Sequence, residues 1–214
     1  MTTHFYYFNS VPSGSSIYAI KITDQEIMKT FTVISSILAT AAAHGIVTSP
    51  TARAPGDAFK AACGAQMFSN VQSDPDGNMQ QLEQMISSQK DFNAAECNLS
   101  LCKGLQFADN QASVQAFTAG QVVPMTVQIK APHTGDANVS VVNTQTNSVI
   151  GTPMIEWPVY ASNSASIPEN NTNFQITMPD VGSQCATAGN CVVQWWWDSR
   201  SADQTYMSCV DFTM

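Results

Sequence analysis

The feature that most limits what this chain can become is the stretch Ala41-Ala42-Ala43-His44-Gly45, because everything that folds should lie after it. Upstream, Met28 and Lys29 precede an apolar run from Phe31 to Ala43 that is broken only by Thr and Ser and ends in small residues. A charged start, an apolar middle and a small-residue end make residues 28–43 a secretory signal peptide. Cleavage after Ala43 makes His44 the first residue of the mature chain. A histidine with a free α-amino group offers two nitrogens, the amine and ring Nδ1, that can close a chelate ring around a metal ion. Residues 1–27, with Phe5-Tyr6-Tyr7-Phe8 followed by Pro12 and Gly14, have neither helical nor strand periodicity and read as a spurious or processed leader.

Removing 43 of the 214 residues leaves 171. That length suits one domain with a real core, residues 44–214, and leaves no room for a second catalytic domain. The basic residues after the cut are Arg53, Lys60, Lys90, Lys103, Lys130 and Arg200 against fourteen acids, so the net charge stays near −8. This balance excludes nucleic acid and anionic membranes as partners, and no later stretch is apolar enough to span a bilayer. All six cysteines, Cys63, Cys97, Cys102, Cys185, Cys191 and Cys209, follow the cut. An even number in a secreted chain reads as three disulfides, with about fifteen connectivities open. Asn98-Leu99-Ser100, Asn138-Val139-Ser140 and Asn170-Asn171-Thr172 carry the N-glycosylation pattern, which suits a secreted glycoprotein.

Pro50, Pro55 and Gly56 forbid regular structure just after the start. Ala58, Phe59, Ala61 and Ala62 can begin a short helix, and Met79, Leu82, Met85 and Ile86 have helical spacing. Between them Ser73-Asp74-Pro75-Asp76-Gly77-Asn78 has turn chemistry. Residues 49–110 are expected to form one long, cross-linked, largely irregular insertion. From Gly120 the pattern changes: Val123, Met125, Val127, Ile129 and Ala131 alternate with Val122, Pro124, Thr126, Gln128 and Lys130, a half-buried strand. Residues 137–142 and 148–151 read as a hairpin, residues 173–178 alternate again, and residues 191–197 and 207–213 are the last two strands. Within the last run but one, Trp195 and Trp196 should divide into one core and one partly exposed side chain. Several short strands with no βαβ alternation give an all-β, immunoglobulin- or fibronectin-like antiparallel sandwich with a long, partly helical, disulfide-linked insertion.

Of the three histidines, His4 lies upstream, so the mature chain keeps His44 and His133. His133 follows Lys130-Ala131-Pro132 in the turn leaving a strand. Two imidazoles and one amine make a three-nitrogen set, and nitrogen donors in a tetragonal arrangement suit Cu(II).

His44-Gly45 followed by Ser49-Pro50-Thr51-Ala52-Arg53, then Ala131-Pro132-His133, Trp197-Asp198 and Tyr206-Met207-Ser208-Cys209-Val210-Asp211 span the mature chain almost from end to end. In that order they resemble the lytic polysaccharide monooxygenases of the bacterial, insect and fungal group that also carries the name chitin-binding type-4 domain. The resemblance implies a secreted, monomeric copper enzyme acting on insoluble chitin or cellulose with an external electron donor. It implies a histidine brace of His44 (amine and Nδ1) and His133 (Nε2), with Tyr206 at the axial position. It also puts Ala131 beside the open axial side and Trp197 beneath the copper; Gln194 is a further hydrogen-bonding candidate behind the ligands. The implied chemistry is reductant-dependent activation of dioxygen or hydrogen peroxide and removal of a hydrogen from a carbon of the glycosidic link. Residues 57–102 do not match the substrate-facing loops of such proteins, which leaves the substrate open. Two alternatives stand beside this reading: a copper-binding protein of the same fold without polysaccharide oxidation, and a chitin-binding module.

Overall fold

Val123, Met125 and Val127 are buried while Val122, Pro124 and Gln128 are exposed, so the strand Val122–Ala131 turns one face to a core and the other to water. The computed structural model describes residues 44–214; the leader and the signal peptide read from the sequence lie outside the described residues. In chain order the strands are β1 (His44–Ser49), β2 (Gln115–Ala116), β3 (Val122–Ala131), β4 (Gly135–Asn143), β5 (Ser148–Val149), β6 (Ile155–Tyr160), β7 (Asn173–Thr177), β8 (Cys191–Ser199) and β9 (Gln204–Thr213). One sheet has the order β1-β3-β7 and the other β2-β9-β8-β4-β5, with β6 also paired to β4. Every pairing is antiparallel except that of the two-residue β2 with β9. The sandwich expected from the sequence is therefore the fold. Three strands that the pattern did not announce are β1, the two-residue β2 and β6. β6 carries Pro158 in its middle, which an edge strand tolerates because its outward N–H has no partner to lose.

Two cores hold the molecule. The first fills the space between the sheets with Val123, Met125 and Val127 from one side and Val139, Val193, Trp195, Trp197 and Tyr206 from the other. The second lies on the outer face of the larger sheet. There Phe59, Met67, Val71 and Leu82 pack on Val142, Val192 and Cys209. With both faces covered, β8 buries every residue but Trp196 and Asp198, and the period-two signal disappears from it. Trp195 is fully buried and Trp196 half-buried, the division expected of them.

The covering layer is more regular than the sequence suggested. Residues 49–110 contain α1 (Asp57–Cys63), α2 (Ala65–Ser73), α3 (Met79–Met85) and several 3-10 turns; a fourth short helix, α4 (Glu169–Thr172), precedes β7. The partly helical insertion expected from the sequence is present, and part of its regular structure depends on caps from far along the chain. Gly56 cannot cap α1, and Asp109 instead accepts from the N–H groups of Ala58 and Phe59 at 2.9 and 2.8 Å. Asn78 does cap α3 locally, accepting from Gln81 N–H at 2.9 Å. Disulfides Cys63–Cys97, Cys102–Cys209 and Cys185–Cys191 resolve the open connectivity, and the second ties the helical layer to β9. Arg53 does the same for the segment after β1: its guanidinium meets both oxygens of the buried Asp211 at 2.8 and 2.7 Å and donates to Leu105 O at 2.8 Å.

Candidate metal centre

β1 starts at His44, which lies opposite Ala131 at the end of β3. His133 comes two residues later, so the pairing brings both histidines of the described chain to one end of the smaller sheet. A register irregularity separates His44 from Gly45. At Gly45 a Cβ would sit 3.0 Å from ring carbons of both Trp195 and Trp197. Only a glycine lets the strand lie this close on the indoles. Trp197 also carries Tyr206: the two are cross-strand partners and their rings stack at 4.5 Å with 28° between planes. One indole therefore supports both the start of β1 and the phenol. Ala131 is half-buried opposite His44, and its methyl group takes little room there.

One oxygen links the second histidine to the phenol. Gln204 Oε1 accepts from Tyr206 OH at 2.7 Å and lies 2.9 Å from His133 Nδ1. Facing an acceptor, Nδ1 carries the ring hydrogen, and Nε2 is then the basic nitrogen of His133. His44 shows the opposite arrangement. Its Nε2 lies 3.2 Å from Asp74 Oδ2, a carboxylate that accepts, which makes Nδ1 the basic nitrogen of that ring. Each ring thus keeps as its base the nitrogen that a brace needs.

The charges nearby are acidic. Burial pushes the Tyr206 phenol well above its ordinary pKa, the Asp74 and Asp76 carboxylates push it further, and a hydrogen bond with Asn78 opposes them only in part. Burial alone would raise Asp76 as well. Lys130, Asp74 and a backbone hydrogen bond outweigh burial and hold Asp76 below the usual carboxylate range. Lys130 Nζ approaches Asp76 Oδ2 at 2.6 Å, yet neither oxygen of Asp76 has a partner of good hydrogen-bond geometry. We take the contact as an ion pair, because charge attraction survives poor alignment and a directed hydrogen bond does not.

Of the residues singled out in the sequence, the structure joins His133 to Tyr206, Tyr206 to Trp197, and Trp197 to the backbone beside His44. Gln194 is a correction. Its position in β8 has the opposite parity from Trp195 and Trp197, so its amide turns to the sulfur atoms of Met207 and Cys209 at 3.9 and 3.7 Å under the helical layer. Gln204 and Asp74 take part in the network and were not read from the sequence. For Gln204 a signal existed, since it stands two residues before Tyr206 and shares its strand face. Among the described residues no three or more His, Cys, Asp and Glu side chains gather as a metal-binding group. The nitrogen donors that the described chain offers a metal here are the two imidazoles, to which a free α-amino group on His44 would add a third. The donor chemistry fits copper: three nitrogens, with a neutral phenol nearby.

Comparison with known proteins gave one family match. A family described as lytic polysaccharide mono-oxygenase, cellulose-degrading, matches residues 44–212. No curated protein matches the chain. Among solved structures, an AA10 lytic polysaccharide monooxygenase from Streptomyces lividans is 18% identical, with 80% of this chain and 100% of that one covered and a TM-score of 0.45. A Bacillus amyloliquefaciens CBM33 in complex with Cu(I) is 16% identical over 79% and 99%, with a TM-score of 0.41. A monooxygenase of the same name from Kitasatospora papulosa is 20% identical over 80% and 98%, with a TM-score of 0.35.

Proposed function

The chain belongs to the lytic polysaccharide mono-oxygenase family described as cellulose-degrading, and from that membership we propose that it is a secreted enzyme that cleaves crystalline cellulose or chitin oxidatively. Copper is the metal of this family. His44, through its amine and Nδ1, and His133, through Nε2, are the residues that would hold it. When bound, copper supplies the one-electron chemistry by which dioxygen or hydrogen peroxide, with an external electron donor, removes a hydrogen from a carbon of the glycosidic link.

The observation that carries this reading is the shared oxygen of Gln204, which fixes His133 with Nε2 as its basic nitrogen and ties that ring to Tyr206. Tyr206 stays a neutral phenol because burial and two carboxylates oppose its ionisation. A neutral phenol is a weak donor, so Tyr206 would fill the space beside the imidazoles without competing with their nitrogens for the metal. Trp197 sets the height of Tyr206 from below, and the small Ala131 leaves space beside His44. Every Phe, Tyr and Trp among the described residues is buried or half-buried, so contact with a sugar surface falls to polar side chains and to backbone.

The test is mass analysis of the soluble products released from cellulose and from chitin by the mature protein, copper and a reductant. Oxidised oligosaccharides from either polymer are the expected result. Tight Cu(II) binding with no oxidised product from either would make this a copper-binding protein of the same fold. Polysaccharide binding without copper binding would make it a chitin-binding module.

A further inference from the structure

The loop between α2 and α3, residues 74–78, is held by four contacts, two of which reach His44 and Gly45. Gly45 N–H donates to Asp76 O at 3.0 Å, which ties the start of β1 to the loop backbone. His44 Nε2 meets Asp74 Oδ2 at 3.2 Å. Lys130, on the neighbouring β3, pairs with Asp76. Asn78 caps α3 and fixes where the loop ends. Inside the loop Asp74 O accepts from Gly77 N–H at 3.2 Å, and the Asp74 carboxylate crosses so close over Gly77 that a Cβ there would lie 2.6 Å from Oδ2. Gly77 is the residue that lets this carboxylate reach the histidine.

Beneath the loop lies Lys103, with 3% of its surface exposed. A lysine is almost never buried this deeply without a partner. Its Nζ donates to two carbonyls of the loop, Pro75 O at 2.8 Å and Gly77 O at 3.0 Å. Lys103 itself is rigidly mounted, because the adjacent Cys102 is bonded to Cys209 in β9. An ammonium group in this position serves no purpose in either hydrophobic core. Its two bonds hold the loop against the sheet that bears Tyr206.

We propose that residues 74–78 form a clasp, anchored by Lys103, in which Asp74 is a positioning residue: it accepts the Nε2 hydrogen of His44 and thereby fixes both the tautomer and the direction of that ring. Neutral imidazole has one donor and one acceptor nitrogen, so a carboxylate at Nε2 makes Nδ1 the acceptor. The consequence for metal binding rests on the brace reading of His44; the tautomer itself does not.

Two variants test the clasp in the mature, copper-free protein and again with Cu(II). Nitrogen NMR of the imidazoles at neutral pH reports which nitrogen of His44 carries hydrogen. The wild type should show Nε2–H. Asp74→Ala should give a mixture of the two tautomers, and calorimetry should show Cu(II) bound about 10- to 100-fold more weakly. Gly77→Ala, which leaves the carboxylate in place chemically but displaces it, should shift both readouts in the same direction. An unchanged His44 tautomer in both variants, with wild-type Cu(II) affinity, overturns the proposal. A tautomer shift without any change in an already weak Cu(II) affinity supports the clasp and sinks the brace reading instead.

Discussion

Replacing Gln204 by Leu isolates the bond pattern on which the candidate centre depends. The substitution keeps most of the side-chain volume and removes one oxygen that serves two donors, Tyr206 OH at 2.7 Å and His133 Nδ1 at 2.9 Å. Tyr206 is fully buried, so its hydroxyl loses an acceptor that water cannot readily replace. His133 is half-buried, so water restores part of its bond. A hydrogen bond contributes about 0.5–1.5 kcal/mol net, and stranding a buried donor costs about 1–3 kcal/mol. We therefore expect the fold to lose about 2 kcal/mol. Metal affinity should fall about 10- to 100-fold, because the His133 ring is then free to turn and to exchange tautomers. Titration calorimetry of the mature variant with Cu(II), beside a thermal melt of the copper-free protein, measures both. Gln204→Glu keeps an acceptor for each donor and should stay close to wild type in affinity. Wild-type Cu(II) affinity and an unshifted melt in Gln204→Leu would refute the claim that this oxygen orients His133.

Four further outcomes follow from the same contacts. A protein that retains Ala43, or carries an added Met before His44, should bind Cu(II) much more weakly by calorimetry, because a peptide nitrogen replaces the amine and the chelate ring is lost. His133→Ala should abolish reductant-dependent peroxide production in a fluorimetric assay, whereas Tyr206→Phe keeps the stack on Trp197 and should retain a copper site and part of the activity. Arg53→Met strands the carboxylate of Asp211, which is 2% exposed, so about 3–5 kcal/mol should be lost and the melt should fall by at least ~6 °C. Burial pushes Lys103 from 10.5 down to about 8, with Asp74 and Asp76 pulling the other way. Below pH 8 both the folded and unfolded chains hold this proton. Between about 8 and 10.5 the unfolded chain binds more, so Lys103 adds stability as pH rises through that window, by up to ~3 kcal/mol. Denaturant melts of wild type against Lys103→Met across these pH values should show wild-type stability rising relative to the variant, since the other titrating groups contribute equally to both.

What could be read from the sequence depended on how many faces of an element meet water. β3 was legible because the insertion does not cover its outer face, so Val123, Met125 and Val127 stand out against Val122, Pro124 and Gln128. β8 and β9 lie between two hydrophobic layers and show a nearly unbroken apolar run, whose strand character is plain and whose facing is not. Gln204 shares the phenol's side by its two-residue spacing from Tyr206 within one strand, whereas burial on both faces hides the facing of Gln194. The pairing of Trp197 with Tyr206 then puts Gln194, three residues before Trp197, on the opposite side of the sheet. Asp74 was hidden for a different reason. Its run reads as an ordinary turn, and the partner that gives the turn its role, His44, lies thirty residues earlier.

His44 thus stands where two separately built layers meet. The sandwich supplies His133, Tyr206, Gln204 and Trp197 from the β3–β4 connection and from β8 and β9, and the Gln204 hydrogen bonds and the ring stack join these residues to one another. The helical layer supplies Asp74 and the carbonyl of Asp76, and it is fastened to the sandwich by Cys102–Cys209, by Lys103 and by Arg53 reaching Leu105. β pairing on one side and the clasp on the other both bear on the position of His44. Changes at Asp74 should therefore act first on the His44 side of the site, and reach the His133 side only through the phenol of Tyr206. Changes at Gln204 should do the reverse. Spectra of the two imidazoles in Asp74→Ala and Gln204→Leu should separate these effects, and a variant of either kind that disturbs both rings equally would show that the two layers do not act independently.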